Sequence, residues 1–300
     1  MQGMNFLSAK YNLQDKQNII DIIEYYADQG RFFEAYNYLN HAMYYHDMSN
    51  VYYSMLTKYL SEKRESRNIS DPLLITWTIT PKNVPFLFMS DPEQRLKESM
   101  LGLAAWIMDK SFTNIHVVEN SAFNLDKEKL RDIGLDHNKV VKYYNAESCE
   151  EASKFGKGYG EGDITKFAVL NTAVGRSKRF TKVTGKQYVP FYEYSFMNNG
   201  ETYEFFNLQH VANRVAVDTR FYCIDTKFYT ENMIDAYKQV NDHRDNYLEH
   251  VFYENTKNRI NYFPPKEPIV FGKQGSIDKT YGEYPKLVYD FSEDLIRSLL

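Results

Sequence analysis

Residues 73–79 read LLITWTI, an unbroken apolar and β-branched run that ends at Thr80-Pro81. Such a run, with no polar alternation, predicts a strand covered on both faces. Working outward, residues 92–110 place Leu96, Met100, Leu103, Ala104 and Ile107 at helical spacing. Residues 114–118 (NIHVV) read as a second strand closed by Glu119-Asn120-Ser121, 127–132 as a short helix, and 139–144 (KVVKYY) as a third strand. Strand, helix, strand, helix, strand in that order opens a mainly parallel central sheet, so the expected class is α/β.

Downstream, the glycine stretch Lys154 to Asp163 (KFGKGYGEGD) precedes an expected helix from Ile164 to about Gly175. Strand-like runs follow at 180–189 and 215–223, then helices at 230–240 and 244–256. A tail punctuated by Pro and Gly, with residual strand character, covers 261–285, and a short helix closes the chain. Upstream, 14–64 read as helical. Ile19, Ile20, Ile22, Ile23 and Tyr26 share one face, and Gly30 ends that helix. Phe33, Ala35, Tyr36, Leu39, Ala42 and Met43 form the apolar side of a second helix. Asp47 to Asn50 is a capped turn before a third helix at Val51 to Leu60. The pattern G-R-F-x-E-A-x-x-x-L at 30–39 resembles one tetratricopeptide-like helical hairpin, which is too little for a solenoid. The expected organisation is a helical appendage over 1–70, with Lys63 to Ser70 as linker, and an α/β domain over 71–300.

Net charge is −4 with a pI near 6.0 and no long basic run, which disfavours nucleic acid as partner. Cys149 and Cys223 suit neither a disulfide framework nor a zinc site. The N-terminus carries no signal-peptide pattern, and no apolar run approaches the roughly 18 residues of a membrane span. A cytoplasmic protein is expected, with any contact at the inner face of the membrane peripheral. Aromatic content of 16%, including 26 Tyr and 20 Phe, suits stacking on sugar rings. A/T-rich codon usage yields the same excess, so the aromatics decide nothing.

Gly156-Lys-Gly-Tyr-Gly-Glu-Gly-Asp163 reads as a loop that brings backbone N–H groups to an anion at the N-terminus of the next helix. Its spacing is neither the dinucleotide fingerprint nor a P-loop. Lys157 and Tyr159 are expected to face a ligand, whereas Glu161 and Asp163 either cap the helix or bind. A nucleotide-diphosphate site often carries a D-x-D clamp for a divalent cation. The chain has no D-x-D, and its D-x-E patterns, Asp91-Pro-Glu93 and Asp126-Lys-Glu128, lie on helical segments. Lys186, Arg220, Lys273 and Lys279 are the candidates to neutralise such a charge without metal. Asp218-Thr-Arg220 stands at a strand end and is either a ligand site or a structural ion pair. Glu249, in a helical Tyr247-Leu-Glu-His250, could act as a general base or be an ordinary helix residue. His250 reads as a packed or capping histidine.

The ordered set T-I-T-P (78–81) with D-P-E-x-R (91–95), V-V-E-N-S (117–121), G-K-G-Y-G-E-G (156–162), K-V-T-G-K (182–186), V-D-T-R-F (217–221), Y-L-E-H-x-F-Y (247–253) and Gly275-Ser276 resembles bacterial capsule and lipopolysaccharide glycosyltransferases. The resemblance covers about 72–285 and leaves the N-terminal helices outside. It implies a GT-A-like, nucleotide-sugar-binding domain and transfer of a sugar to a glycan or lipid-linked acceptor; it names no donor, and a UDP-sugar is the foremost expectation. It implies donor contacts from Thr78, Thr80, Glu119, Lys157, Tyr159, Glu161, Lys186, Arg220, Lys273 and Ser276, and catalytic roles for Glu249 and Asp218. A divalent metal is not expected to be required. The family has Arg at the end of T-G-[RK], where this chain has Lys186, and a tail loop richer in Gly and Ser than 272–276. A second reading makes the chain an interaction protein that works, or self-associates, through its N-terminal helices. A third makes it a sugar-phosphate or nucleotidyl transferase, which would depend on Mg²⁺.

Overall fold

The computed structural model describes residues 15–62, 71–85, 87–198, 201–259, 269–273 and 282–300. The expected linker at 63–70, the Gly275-Ser276 loop and Lys279 lie outside the described residues. The chain divides into two compact units, Met1–Arg64 with Glu193–Ser195, and Glu65–Tyr192 with Phe196–Leu300.

The first unit is built on three helices, α1 (Lys16–Asp28), α2 (Phe32–Ala42) and α3 (Ser49–Ser61). Asp15 caps α1 by accepting from the Gln17 and Asn18 backbone N–H groups. Gly30, at φ +67°, makes the left-handed turn into α2. Ile19, Ile22, Ile23 and Tyr26 of α1 are buried, and the Tyr26 ring stacks on Tyr38 at 5.8 Å. The apolar face of α2 is rotated from the expected one. Phe32, Ala35, Tyr38 and Leu39 are buried, whereas Phe33 is 51% exposed. Phe32 fills the interior because its ring meets Tyr59 of α3 edge-on at 5.5 Å.

The second unit runs β1 (Leu73–Trp77), α4 (Pro92–Met108), β2 (Asn114–Glu119), α5 (Lys127–Asp136), β3 (Val140–Asn145), α6 (Lys157–Asn171), β4 (Arg179–Thr184), β5 (Gln187–Tyr188), β6 (Phe205–Val211), β7 (Arg214–Asp225), α7 (Leu248–Thr256), β8 (Phe271–Gly272) and α8 (Lys286–Leu299). A six-stranded sheet has the order β3-β2-β1-β4-β7-β6. The β1 to β4 ladders are parallel, and β7 and β6 are added antiparallel. Every residue of β1 is buried, as the LLITW run requires. From β1 the chain proceeds outward through β2 and β3, then returns to the other side as β4. Open α/β sheets form a ligand crevice at such a switch point, outside the carboxyl ends of the strands.

Four expectations change. The glycine stretch is not a loop, because α6 already starts at Lys157 and includes Gly158, Gly160 and Gly162. Residues 205–211 form β6, which closes a two-residue hairpin with β7 through Ala212 and Asn213, both at positive φ. The expected helix at 230–240 breaks into a π turn over Tyr229–Met233 and a 3-10 turn over Ala236–Gln239. The closing helix is a full 14 residues. No helix among the described residues is long and apolar enough to cross a membrane.

Candidate functional site

A cleft of about 1010 Å³ opens at the carboxyl ends of β1, β2 and β4. Thr76, Thr78 and Thr80 line it after β1, Asn120 and Ser121 after β2, and Thr184 to Gln187 after β4. Lys157, Gly160 and Glu161 of α6, Arg220 of β7, Glu249 of α7, and Arg95, Asp242 and Lys273 complete the charged wall.

The two loops after β1 and β2 are tied together from below. Glu119, fully buried, accepts from the backbone N–H groups of Ile79 (3.2 Å), Ser121 (2.9 Å) and Phe123 (2.9 Å). Ser121 Oγ accepts from the N–H groups of Ile79 (3.0 Å) and Thr80 (2.8 Å), and Thr78 Oγ1 donates to Asn120 Oδ1 (2.6 Å). Arg95 reaches from α4 to donate to Thr78 O (2.6 Å) and Met89 O (2.9 Å). It is 8% exposed, and burial lowers its pKa to about 10 against the raising effect of Glu119. Glu119 is therefore spent on backbone and does not line the cleft.

The glycines of α6 serve packing. A Cβ on Gly162 would lie 2.1 Å from Tyr237 Cβ, and one on Gly158 would lie 3.1 Å from Leu248 Cβ. The helix thus settles against the 236–248 segment at a distance that larger residues would forbid. Gly156 has φ +109°, and at this end of α6 the Asp242 carboxylate accepts from the backbone N–H groups of Lys157 and Gly158. The anion expected at this helix N-terminus is a side chain of the protein itself. Burial holds the Asp242 carboxyl above its ordinary pKa, opposed by Lys157 and those N–H groups. Tyr159 stacks on Phe155 at 5.2 Å and meets Tyr237 at 5.0 Å, so it joins the core beneath the cleft rather than its lining. Asp163 accepts from Tyr237 Oη (2.8 Å) and caps nothing.

Most charges of the wall are paired. Lys182, wholly buried on β4, donates to Glu161 Oε1, to Thr184 Oγ1 (3.1 Å) and to Thr219 O (2.9 Å). Arg220 is bidentate on Asp218 (2.8 and 2.7 Å), which sits under it and outside the lining. Lys273 pairs with Glu98 at 3.0 Å. Lys186 differs. It is 6% exposed, and no acceptor among the described residues hydrogen-bonds its ammonium. Burial first, then Arg95 and Lys157, push its pKa down to about 7, opposed by Glu98 and Glu161. Its place is set by Gly185, whose missing Cβ would lie 1.9 Å from Trp77 Cδ1. The β4 chain turns there, directly against the end of β1.

Glu249 occupies the first turn of α7 at the cleft wall. Burial pushes its carboxyl up to about 7; Lys157 opposes this, and Glu161 and Asp218 add to it. Next to it, His250 Nε2 donates to Val211 O (2.9 Å), and its Nδ1 faces the Arg214 guanidinium at 2.5 Å. Arginine can only donate, so Nδ1 is the acceptor of that pair, and His250 holds the β6–β7 hairpin tip on α7.

The structure thus brings Thr78, Thr80, Lys157, Glu161, Lys186, Arg220, Lys273 and Glu249 to one cleft, and leaves Glu119, Tyr159 and Asp218 behind its surface. Ser276 lies outside the described residues. Arg95 and Asp242 line the cleft and Lys182 lies beneath it; sequence reasoning assigned a role to none of them. Arg95 stood in the D-P-E-x-R motif, four residues after the Asp91 cap, whereas nothing in the local sequence marks Asp242 or the burial of Lys182. The two D-x-E patterns are helix starts. Asp91 accepts from Glu93 and Gln94 N–H, and Asp126 from Lys129 N–H. Among the described residues no group of three or more His, Cys, Asp or Glu is placed to hold a metal ion.

The sequence matches no family model and no curated protein. Among solved structures, the glycosyltransferase GlyE of Streptococcus pneumoniae TIGR4 aligns over 78% of this chain, at 8% identity and a TM-score of 0.48. The bifunctional glycosyltransferase WbbM aligns over 79%, at 10% identity and a TM-score of 0.42. The chain spans 63% of the length of the first and 45% of the second.

Proposed function

We propose that this chain is a GT-A-like glycosyltransferase, moving a sugar from a nucleotide-sugar, a UDP-sugar foremost, to a glycan or lipid-linked acceptor in capsule or lipopolysaccharide synthesis. The observation that carries this reading is Lys186, a buried lysine with no acceptor among the described residues, at the β4 end where a metal clamp would otherwise stand. A buried cation without an anion is costly, and a donor diphosphate is an anion of the right size and place. Lys186, Arg95 and Lys157 would hold it and, in this reading, take the part of a divalent cation. Thr78, Thr80 and Asn120 offer hydroxyl and amide groups for the nucleoside at the β1 and β2 ends, and Glu161 and Arg220 face the sugar.

Glu249 acts as base. Its carboxylate takes the proton of the acceptor hydroxyl as that oxygen bonds to the anomeric carbon. The bond from that carbon to the phosphate oxygen breaks, and the electron pair leaves with the nucleoside diphosphate, whose charge the cations stabilise. Asp218 keeps the Arg220 guanidinium in place rather than touching substrate. Residues 71–300 form the catalytic domain, which works in the cytoplasm, with peripheral contact at the inner face of the membrane where the acceptor is lipid-linked. Residues 1–70 are an appendage whose exposed Tyr25, Phe33, Tyr44 and Tyr45 suit self-association or an acceptor-bearing partner. Calorimetry with UDP-, GDP- and CMP-sugars, with and without Mg²⁺, tests the reading. Binding of at least one is expected, and silence toward all of them sinks it.

A further inference from the structure

The cations of the cleft are not equivalent. Arg220 has Asp218, Lys273 has Glu98, and Arg95 has two backbone carbonyls. Among the described residues, the carboxylates whose charge reaches Lys186 are already engaged. On α4, Glu98 is held by Lys273, and on α6, Glu161 is held by Lys182. What faces Lys186 instead is more positive charge, Arg95 from α4 and Lys157 from α6. Among the described residues, Tyr284 Oη also donates to the Lys186 carbonyl (3.2 Å) and the Gly272 backbone packs on it, and neither brings an anion to the ammonium. A lysine so placed sheds its proton readily, and an arriving anion reverses that balance.

We propose that the donor's diphosphate enters this site together with a proton, which Lys186 takes from solvent as its amine comes to face the phosphate oxygens. Binding is thereby coupled to pH through one residue of the cleft. Without ligand, Lys186 titrates near 7, so at pH 8 the amine is mostly neutral. With the diphosphate seated, the local charge changes from excess positive to balanced, and the ammonium form is favoured. Affinity then falls as pH rises above 7, by up to about tenfold per unit, until the bound-state titration is reached. An arginine at 186 stays charged throughout and carries no such coupling. The inference rests on the donor-site reading above and adds a property that a site of fixed charge lacks.

The test is calorimetry of the full chain with UDP-glucose, UDP-N-acetylglucosamine and GDP-mannose at pH 8, in buffers of different ionisation enthalpy. The diester phosphates of these ligands do not titrate near neutrality, so a buffer-dependent heat reports protons taken up by the protein. Wild type is expected to take up most of one proton, as burial and the neighbouring cations hold the free Lys186 pKa down to about 7. Lys186→Arg is expected to bind with buffer-independent heat and nearly flat affinity between pH 6 and 9. Glu249→Gln is expected to retain the uptake, which separates the lysine from a cleft carboxyl held up at about 7. If the guanidinium is not accommodated, Lys186→Met gives weaker binding with the same buffer independence. Binding by wild type without uptake, or uptake that survives in both Lys186 variants, overturns the coupling and leaves the donor site standing. Absence of binding by all three sugars and by UDP and GDP removes the donor-site reading itself, and the coupling with it.

Discussion

Gly156 and Asp242 meet so closely that no side chain fits between them: a Cβ on Gly156 would lie 2.0 Å from Asp242 Oδ2. The contact seats the carboxylate on the N-terminus of α6, and α6 carries Lys157 and Glu161 into the cleft. Gly156→Ala would force both a clash and a backbone conformation, φ +109° and ψ 178°, that is essentially confined to glycine. Chemical denaturation is expected to show a loss of about 1–3 kcal/mol. A variant as stable as wild type would mean that Asp242 is free to move away.

Lys182 and Glu161 are a second pair on which α6 depends. Lys182 is fully buried, while Glu161 keeps part of its side chain in the cleft. Removing Glu161 strands the ammonium inside the sheet. Glu161→Ala is therefore expected to reduce stability as well as turnover, by about 3 kcal/mol or more. The double variant Lys182→Met/Glu161→Gln is expected to recover much of that loss, because no uncompensated charge remains. Additive losses in a double-mutant cycle would show that the two act separately. Lys157→Ala, at the wall and outside this pair, is expected to impair transfer with little change in unfolding midpoint.

The parts of the molecule legible in the sequence are those set by local pattern. β1 and β2 appear as apolar runs because both their faces are covered, β3 as an edge strand whose outer residues alternate between buried and exposed, and Asp91-Pro92 marks the start of α4 because capping is local. The glycines of 156–162 resisted reading, since glycine in a helix costs about 1 kcal/mol against alanine and suggests a loop. What favours the helix is the approach of Tyr237 and Leu248, which lie far along the chain. β6 was hidden for a different reason: Phe205–Val211 has mixed polarity, and only the Ala212-Asn213 turn links it to β7. At the site, residue types pointed to Lys186, Arg220 and Glu249. Both Lys182 and Lys186 are buried, and what separates them, the acceptors that Lys182 has and that Lys186 lacks among the described residues, has no signature in a row of lysines.

The burial of Lys186 predicts a trade between stability and binding. Its pKa in the folded protein is lowered to about 7, so between that value and the ordinary lysine range the unfolded chain binds more protons than the native one. Stability therefore rises with pH across that window, and the penalty of burying the cation is fully present below it. Lys186→Met is expected to melt higher than wild type at pH 6–7, with the gain shrinking toward pH 10, while donor affinity is weakened. A gain independent of pH would mean that packing, not charge, explains it.

Glu249 has the opposite linkage, and its two consequences can be measured on one variant. Its carboxyl is raised to about 7 in the native state by burial, Glu161 and Asp218. Between the ordinary glutamate range and 7 the native state binds more protons than the unfolded one, so this group's contribution to stability is lost as pH rises through 7. As a base it must be ionised, so turnover at saturating donor should climb through the same pH. Glu249→Gln is expected to lower kcat by about 10²–10⁴-fold, erase the acid limb of its pH profile and leave donor affinity near that of wild type. The same variant is expected to be at least as stable as wild type at pH 8, where the ionised carboxylate is least welcome. Loss of donor binding with kcat unchanged would make Glu249 a binding residue and move the base elsewhere in the cleft.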